Sequence, residues 1–144
     1  MTTVREVLDR KGRNVFAVGP DAPVYRALEL MSEKHVGALM VLDEDRHLIG
    51  VVSERDYARK IALQGKSSKE TPVREIMTTK LFCVTPKDSI EQCMELMTDK
   101  SVRHLPVLDG ERLDGVISIG DVVKSKLSQQ EFIIEQLEHF INGR

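Results

Sequence analysis

Apolar residues recur at helical spacing in two places along the chain. Val24, Ala27, Leu28 and Met31 fall at i, i+3, i+4 and i+7, and Ile90, Cys93, Met94 and Met97 repeat the series. That spacing predicts a helix burying one face. A short β-type run precedes each helix, Val15 to Val18 and Phe82 to Val84, and stops at Pro20 or Pro86. Asp21 is placed to cap the first helix, and Asp88 or Ser89 the second. Two apolar strands joined by an acidic turn follow each helix: Ala38–Leu42 with Leu48–Val52, and Leu105–Leu108 with Leu113–Ile117. The turn length predicts hairpins. Ser53 and Ser118 then open a last helix, so the order β-α-β-β-α occurs twice.

The two halves are copies. A displacement of 66 brings Pro20, Glu29-Leu30-Met31, Leu39 and Val41-Leu42-Asp43 onto Pro86, Glu95-Leu96-Met97, Leu105 and Val107-Leu108-Asp109. The register slips by one in the acidic turn. Beyond it Gly50-Val51-Val52-Ser53-Glu54-Arg55-Asp56 matches Gly115-Val116-Ile117-Ser118-Ile119-Gly120-Asp121. Upstream, Val4-Arg5-Glu6 recurs as Val73-Arg74-Glu75. The division expected is a first repeat over 1–65, a polar linker over 66–72, a second repeat over 73–126 and a C-terminal helix over 127–144. The pattern allows a break after Asp121 before that helix resumes. Its stripe of Ile133, Ile134, Leu137, Phe140 and Ile141 needs cover, from a fold-back or from a second copy. A three-stranded half has a marginal core. An α+β arrangement follows, with two β-α-β-β-α units packed sheet to sheet about a pseudo-two-fold axis and a cleft near each strand-to-helix junction.

Composition narrows the partners. The 144 residues include 21 Lys and Arg against 23 Asp and Glu, a net charge of −2. That balance argues against general nucleic-acid or membrane-surface binding. The N-terminus has no apolar signal core, and the longest apolar run, Val36 to Leu42, has seven residues, too short to span a bilayer. Cys83 and Cys93 match neither a metal spacing nor a redox pair, and read as reduced core thiols of a cytoplasmic protein.

The chemistry concentrates at the repeated junction. A Ser followed three residues later by Asp is close to a capping box, with Asp in place of Glu or Gln. Ser53/Asp56 and Ser118/Asp121 can simply cap their helices. The same carboxylate can also accept hydrogen bonds from the vicinal hydroxyls of a ribose, with the Ser hydroxyl beside it. Candidate phosphate-binding cations are Arg55 and Arg59, Lys80, and Arg103 with His104; Phe82 joins them as a candidate ligand contact. Arg103-His104 stands where the first repeat has Gly37-Ala38, so the two junctions differ chemically. His35, His47 and His139 show no ligand spacing. Asp43/Asp45 and Asp109/Glu111 sit in turns and read as solvated. No nucleophile elbow, phosphate-cradling Gly-rich loop, zinc motif or Cys–His arrangement supports an enzyme.

The doubled Gly-h-h-Ser-x-x-Asp junction (h apolar), preceded in the second copy by Val102-Arg103-His104-Leu105-Pro106-Val107, resembles the CBS domain pair, or Bateman module, from about Val4 to about Lys126. The resemblance implies a stand-alone, non-catalytic regulator binding AMP, ADP, ATP or NAD(H), with S-adenosylmethionine ranked below them, in clefts between the repeats. Asp56 and Asp121 would hold ribose, beside Ser53 and Ser118. Arg55, Arg103 and His104 would meet phosphates. It further implies a homodimer and signalling to an effector protein. A structural adaptor dimer with vestigial clefts is the alternative.

Overall fold

A computed structural model describes residues 2–141. Residue 1 and residues 142–144, where the expected C-terminal helix would end, lie outside them. The elements run α1 (Val4–Lys11), β1 (Ala17–Val18), α2 (Val24–Lys34), β2 (Ala38–Leu42), β3 (Leu48–Ser53), α3 (Glu54–Tyr57), α4 (Ile90–Lys100), β4 (His104–Asp109), β5 (Arg112–Ser118) and α5 (Ile119–Ile141). A π-helical turn, Ala58–Ala62, continues α3, and a 3₁₀ turn, Val73–Glu75, precedes the second half. The class is α+β with two small sheets: β1-β2-β3, and the hairpin β4-β5.

The chain forms two compact units, and each draws on both sequence repeats. One comprises residues 14–82 with the hairpin tip 110–113; the other comprises 2–13, 83–109 and 114–141. The repeat-opening segments, Val4-Arg5-Glu6 and Val73-Arg74-Glu75, therefore serve the opposite repeat.

In the first of these units β1 pairs in parallel with β2. β2 pairs antiparallel with β3, Leu39 facing Val52 and Val41 facing Gly50. Val24, Ala27 and Met31 of α2 bury against Leu39, Val41, Val52 and Ile61, and Val73 and Ile76 of the 3₁₀ segment complete that core. Each Val, Leu, Ile or Met side chain among them, fully removed from water, contributes about 1.5–3 kcal/mol. Asp21 does not cap α2, contrary to expectation. Pro23 occupies the cap position without a side-chain bond. The first N–H groups of the helix are taken by backbone instead: Val24 donates to Thr71 O at 2.9 Å and Tyr25 to Ser68 O at 2.9 Å. Asp21, displaced from that duty, pairs with Arg74.

In the other unit the equivalent bonds recur. Ile90 N–H donates to Thr2 O at 3.0 Å, as Val24 does to Thr71. Val4 and Arg5 donate to Asp88 O and Pro86 O (2.8 and 3.0 Å), where Val73 and Arg74 donate to Ala22 O and Pro20 O (2.8 and 2.9 Å). Here Ser89 does cap α4, in a capping box with Gln92. The run Phe82 to Val84 shrinks to one parallel bridge, Val84 with Val107. No break interrupts α5, which spans 23 residues. Nothing in Asp121–Ile133 is Gly or Pro, and Val122 and Ser125 keep the polar stretch anchored by burial. The stripe expected to need cover remains exposed, so the helix does not fold back.

The docked opening segments explain the glycines of the junction strands. A Cβ on Gly115 would lie 2.8 Å from Leu8 Cδ2, and one on Gly50 would lie 2.7 Å from Met77 Sδ. Leu8 and Met77 are equivalents in the opening segments. Leu8 is fully buried, so Gly115→Ala has no soft neighbour to displace. It is expected to destabilise the protein by about 1–3 kcal/mol in urea denaturation. Pairing it with Leu8→Val should cost less than the sum of the two single changes, since the residues touch.

Candidate functional site

Each junction is a strand end that becomes a helix cap. Ser53 has extended backbone, and its Oγ accepts the Asp56 N–H at 3.1 Å; Ser53 N–H donates back to Asp56 Oδ2 at 3.0 Å. At the second junction the Asp121 N–H donates to Ser118 Oγ at 3.2 Å and Ser118 N–H to Asp121 Oδ2 at 2.9 Å. The shorter Asp thus completes a reciprocal box. The following residue bonds to the chain ahead of the middle strand: Glu54 N–H to Gly37 O at 3.0 Å, and Ile119 N–H to Arg103 O at 2.9 Å. The point of greatest chemical difference between the repeats therefore lies one hydrogen bond from each junction.

The two carboxylates are held differently. Asp56 is 8% exposed, and both oxygens are engaged. Oδ2 accepts from the Ser53 N–H and hydroxyl; Oδ1 accepts from Thr78 Oγ1 at 3.4 Å and lies 3.3 Å from Lys60 Nζ. Lys60 also donates to Ile76 O at 2.9 Å. Asp121 Oδ2 accepts from the Ser118 N–H at 2.9 Å and from Lys11 Nζ at 2.6 Å, and the Ser118 hydroxyl also bonds the carboxylate. Lys11 donates as well to Val116 O at 2.8 Å. The matching carbonyl of the first junction, Val51 O, accepts the Thr78 N–H at 2.8 Å. A lysine side chain in one unit thus does what backbone pairing does in the other. Burial by itself would raise the Asp121 carboxyl, but Lys11 and the Ser118 N–H outweigh it and hold the group below its ordinary value.

The remaining candidates divide between the units. Arg55, Arg59, Lys80 and Phe82 share the unit of Ser53 and Asp56; Arg103 and His104 share that of Ser118 and Asp121. Arg55, Arg59, Lys80 and Arg103 are exposed, and His104 and Phe82 are half-buried. Lys60, Thr78 and Lys11 were absent from the sequence expectation. Lys60 lay four residues from Asp56 on one helix face, a readable spacing. Lys11 stands 110 residues from Asp121, and nothing local joins them.

Cys93 is buried and Cys83 half-buried, both as free thiols. Burial, aided by Asp88 and Glu91, pushes Cys93 up to about 11, and burial also raises Cys83. Neither is poised as a nucleophile. Asp43, Asp45 and His47 bring ligand-type atoms within 4.8 Å of one another. Asp43 Oδ1 accepts the Asp45 and His47 N–H groups at 2.9 and 2.8 Å, so the cluster is accounted for as a turn. Among the described residues no helix is long and apolar enough to cross a membrane.

Comparison with known proteins agrees with this architecture. The CBS domain model matches residues 2–63 and 73–128. The chain belongs to the CBS-domain family, as a tandem pair. It is 39% identical to the mitochondrial CBS domain-containing protein CBSX3 of Arabidopsis thaliana, over 99% of this chain and 73% of that one. It is 32% identical to the CBS domain-containing protein YhcV of Bacillus subtilis (strain 168), over 86% and 87%. Among solved structures, a CBS-domain protein of Burkholderia ambifaria MC40-6, provisionally assigned to signal transduction, superposes with a TM-score of 0.86 at 52% identity, covering 90% of this chain and 96% of that one.

The Lys11–Asp121 pair has a pH signature. A carboxyl lowered by folding adds stability that is fully present above its unfolded value and is lost as pH falls through its folded one. Lys11→Met should therefore cost about 0.5–1 kcal/mol at pH 7. The deficit should shrink as pH falls below about 4. Urea melts of both proteins across that range measure it, and NMR titration should show the Asp121 carboxyl moving upward in the variant.

Proposed function

We propose that this chain is a non-catalytic cytoplasmic regulator whose second junction binds the ribose of an adenosine-containing nucleotide and reports its occupancy to a partner protein. The observation that carries this is the Asp121 carboxylate, whose side chain is 21% exposed against 11% for Asp56. It sits in the first turn of a 23-residue helix, in the same unit as Arg103 and His104. A ribose hydroxyl finds there an ionised acceptor, the Ser118 hydroxyl beside it, and the positive end of a helix dipole that favours phosphate. Arg103 is an exposed guanidinium attached, through its own carbonyl, to the N–H of Ile119. AMP, ADP, ATP and NAD(H) offer the matching chemistry; S-adenosylmethionine offers the ribose but no phosphate. The resemblance of the chain to a CBS-domain protein assigned to signal transduction supports the regulatory part.

A second reading has its own support at the first junction. Asp56 is held by Ser53, Thr78 and Lys60 and is 8% exposed. That carboxylate serves as a cap and a tether, as the adaptor reading requires. We therefore assign the nucleotide to Asp121 and leave Asp56 structural.

Calorimetry and thermal shift against AMP, ADP, ATP, NAD(H) and S-adenosylmethionine test the assignment. At 100 times its dissociation constant, a bound ligand should add about 2.7 kcal/mol of stability. Asp121→Asn should weaken adenosine-containing ligands by at least about tenfold, the scale of a lost charge-assisted hydrogen bond. Arg103→Ala should weaken AMP while sparing adenosine. Asp56→Asn should change stability and leave affinity within about threefold, a difference below 1 kcal/mol. No stabilisation by any of the ligands would leave the adaptor reading standing.

A further inference from the structure

One lysine closes the acceptors of the second junction. Lys11, the last residue of α1, donates to Asp121 Oδ2 at 2.6 Å and to Val116 O at 2.8 Å. The Ser118 N–H donates to the same Oδ2 at 2.9 Å, and the Ser118 hydroxyl also bonds the carboxylate. An ionised carboxylate offers about four lone-pair sites, so three partners nearly fill it. The two Ser118 groups belong to the capping box, where the hydroxyl in turn accepts the Asp121 N–H at 3.2 Å. Lys11 comes from outside the box, on a flexible stem, with its side chain 35% exposed. The first junction is built otherwise. Lys60 stands four residues along the chain from Asp56 and is tied to Ile76 O, and Val51 O accepts the Thr78 N–H. Lys11 reaches Asp121 across 110 residues of sequence.

We propose that Lys11 is a displaceable gate on this site, whose charge makes the site favour phosphorylated adenosine ligands over adenosine itself. The proposal rests on the assignment of ribose to Asp121. The vicinal hydroxyls of a ribose bring two donors to a carboxylate that already has three partners. One incumbent must leave, and Lys11 is the one that can swing away without undoing the helix cap. Its departure also frees Val116 O, an acceptor beside the carboxylate, since both bond the same nitrogen. The step breaks a charge pair. Adenosine is neutral and leaves the ammonium without the anion it held. A phosphate brings negative charge of its own, so the freed ammonium exchanges one anion for another. S-adenosylmethionine, with no phosphate, meets the same cost as adenosine. Arg103 would favour phosphate by attracting it, whereas Lys11 favours it by penalising its absence.

Calorimetry of the full chain with AMP and with adenosine, in wild type and in Lys11→Met, tests the gate. Methionine keeps the apolar stem and removes the charge. Lys11→Met should bind adenosine about two- to fivefold more tightly, the scale of a partly exposed ion pair. Its affinity for AMP should stay within about twofold of wild type, so the preference for AMP falls. Lys11→Arg keeps the charge and should keep the wild-type preference. Salt supplies a second readout. Raising ionic strength from about 0.01 M to about 0.15 M screens the Lys11–Asp121 pair. Adenosine should then bind wild type more tightly and Lys11→Met unchanged. A Lys11→Met variant that binds adenosine no more tightly than wild type overturns the gate and leaves the ribose assignment standing. So does adenosine binding to wild type that does not tighten with salt, or a Lys11→Arg variant that behaves like Lys11→Met. Failure of both ligands to bind any of these proteins overturns the ribose assignment, and the gate with it.

Discussion

Everything else in the structure depends on the hydrogen-bonded docking of each repeat's opening segment onto the other repeat. Three backbone bonds recur at equivalent places in the two units, and each satisfies N–H groups at a helix start or a docked turn. The docked segment also brings Leu8 or Met77 over a glycine of the junction strand. A side chain at Gly50 or Gly115 would crowd Met77 or Leu8 and strain the docked segment on which the helix starts depend. One small-residue requirement thus ties the junction, the helix cap and the core of each unit together. It also means that neither unit's core closes until residues far apart in sequence have met, a non-local contact of the kind that slows folding.

That constraint is symmetric, but its consequences for chemistry are not. In the unit holding Ser53 and Asp56 the docked segment continues as extended chain and pairs through Thr78 with Val51. In the other it stays helical to Lys11, and the lysine amine donates to Val116 O. The amine then lies beside Asp121 rather than near a backbone amide. A neutral N–H satisfies only the carbonyl, whereas an ammonium also neutralises the carboxylate. The difference between the two Asp residues therefore begins in the secondary structure of a segment more than a hundred residues away from one of them.

Much of this was legible in the sequence, and the rest was not for physical reasons. The α2 and α4 stripes, the hairpins and both Ser-x-x-Asp boxes follow from local periodicity and capping chemistry. The echo of Val4-Arg5-Glu6 at Val73-Arg74-Glu75 marked the docking segments but did not say where they dock, because an acceptor carbonyl has no residue type. For the same reason Asp21 looked like a cap: the backbone oxygens of Ser68 and Thr71 that took its place are invisible in a side-chain pattern. The continuity of α5 was hidden because its buried face, Val122 and Ser125, and its exposed apolar stripe lie on different sides of one helix. Read as a single stripe, the pattern breaks where the helix only changes which face is apolar.

α5 runs from the second junction to the last described residue. Asp121 lies in its first turn and Ile141 in its last, 20 residues on, or about 30 Å at the helical rise. A ligand bound at Asp121, as proposed, would compete with, or add to, the grip of Lys11 on that first turn. It can alter what the far end does only if it binds one arrangement of α5 better than another, since equal affinity shifts no equilibrium. Any such coupling would be reciprocal: whatever engages the far end would change affinity at Asp121 by the same factor. The Lys11–Asp121 contact is where such a difference would arise. There α1, the end of β5 and the root of α5 share a charged bond.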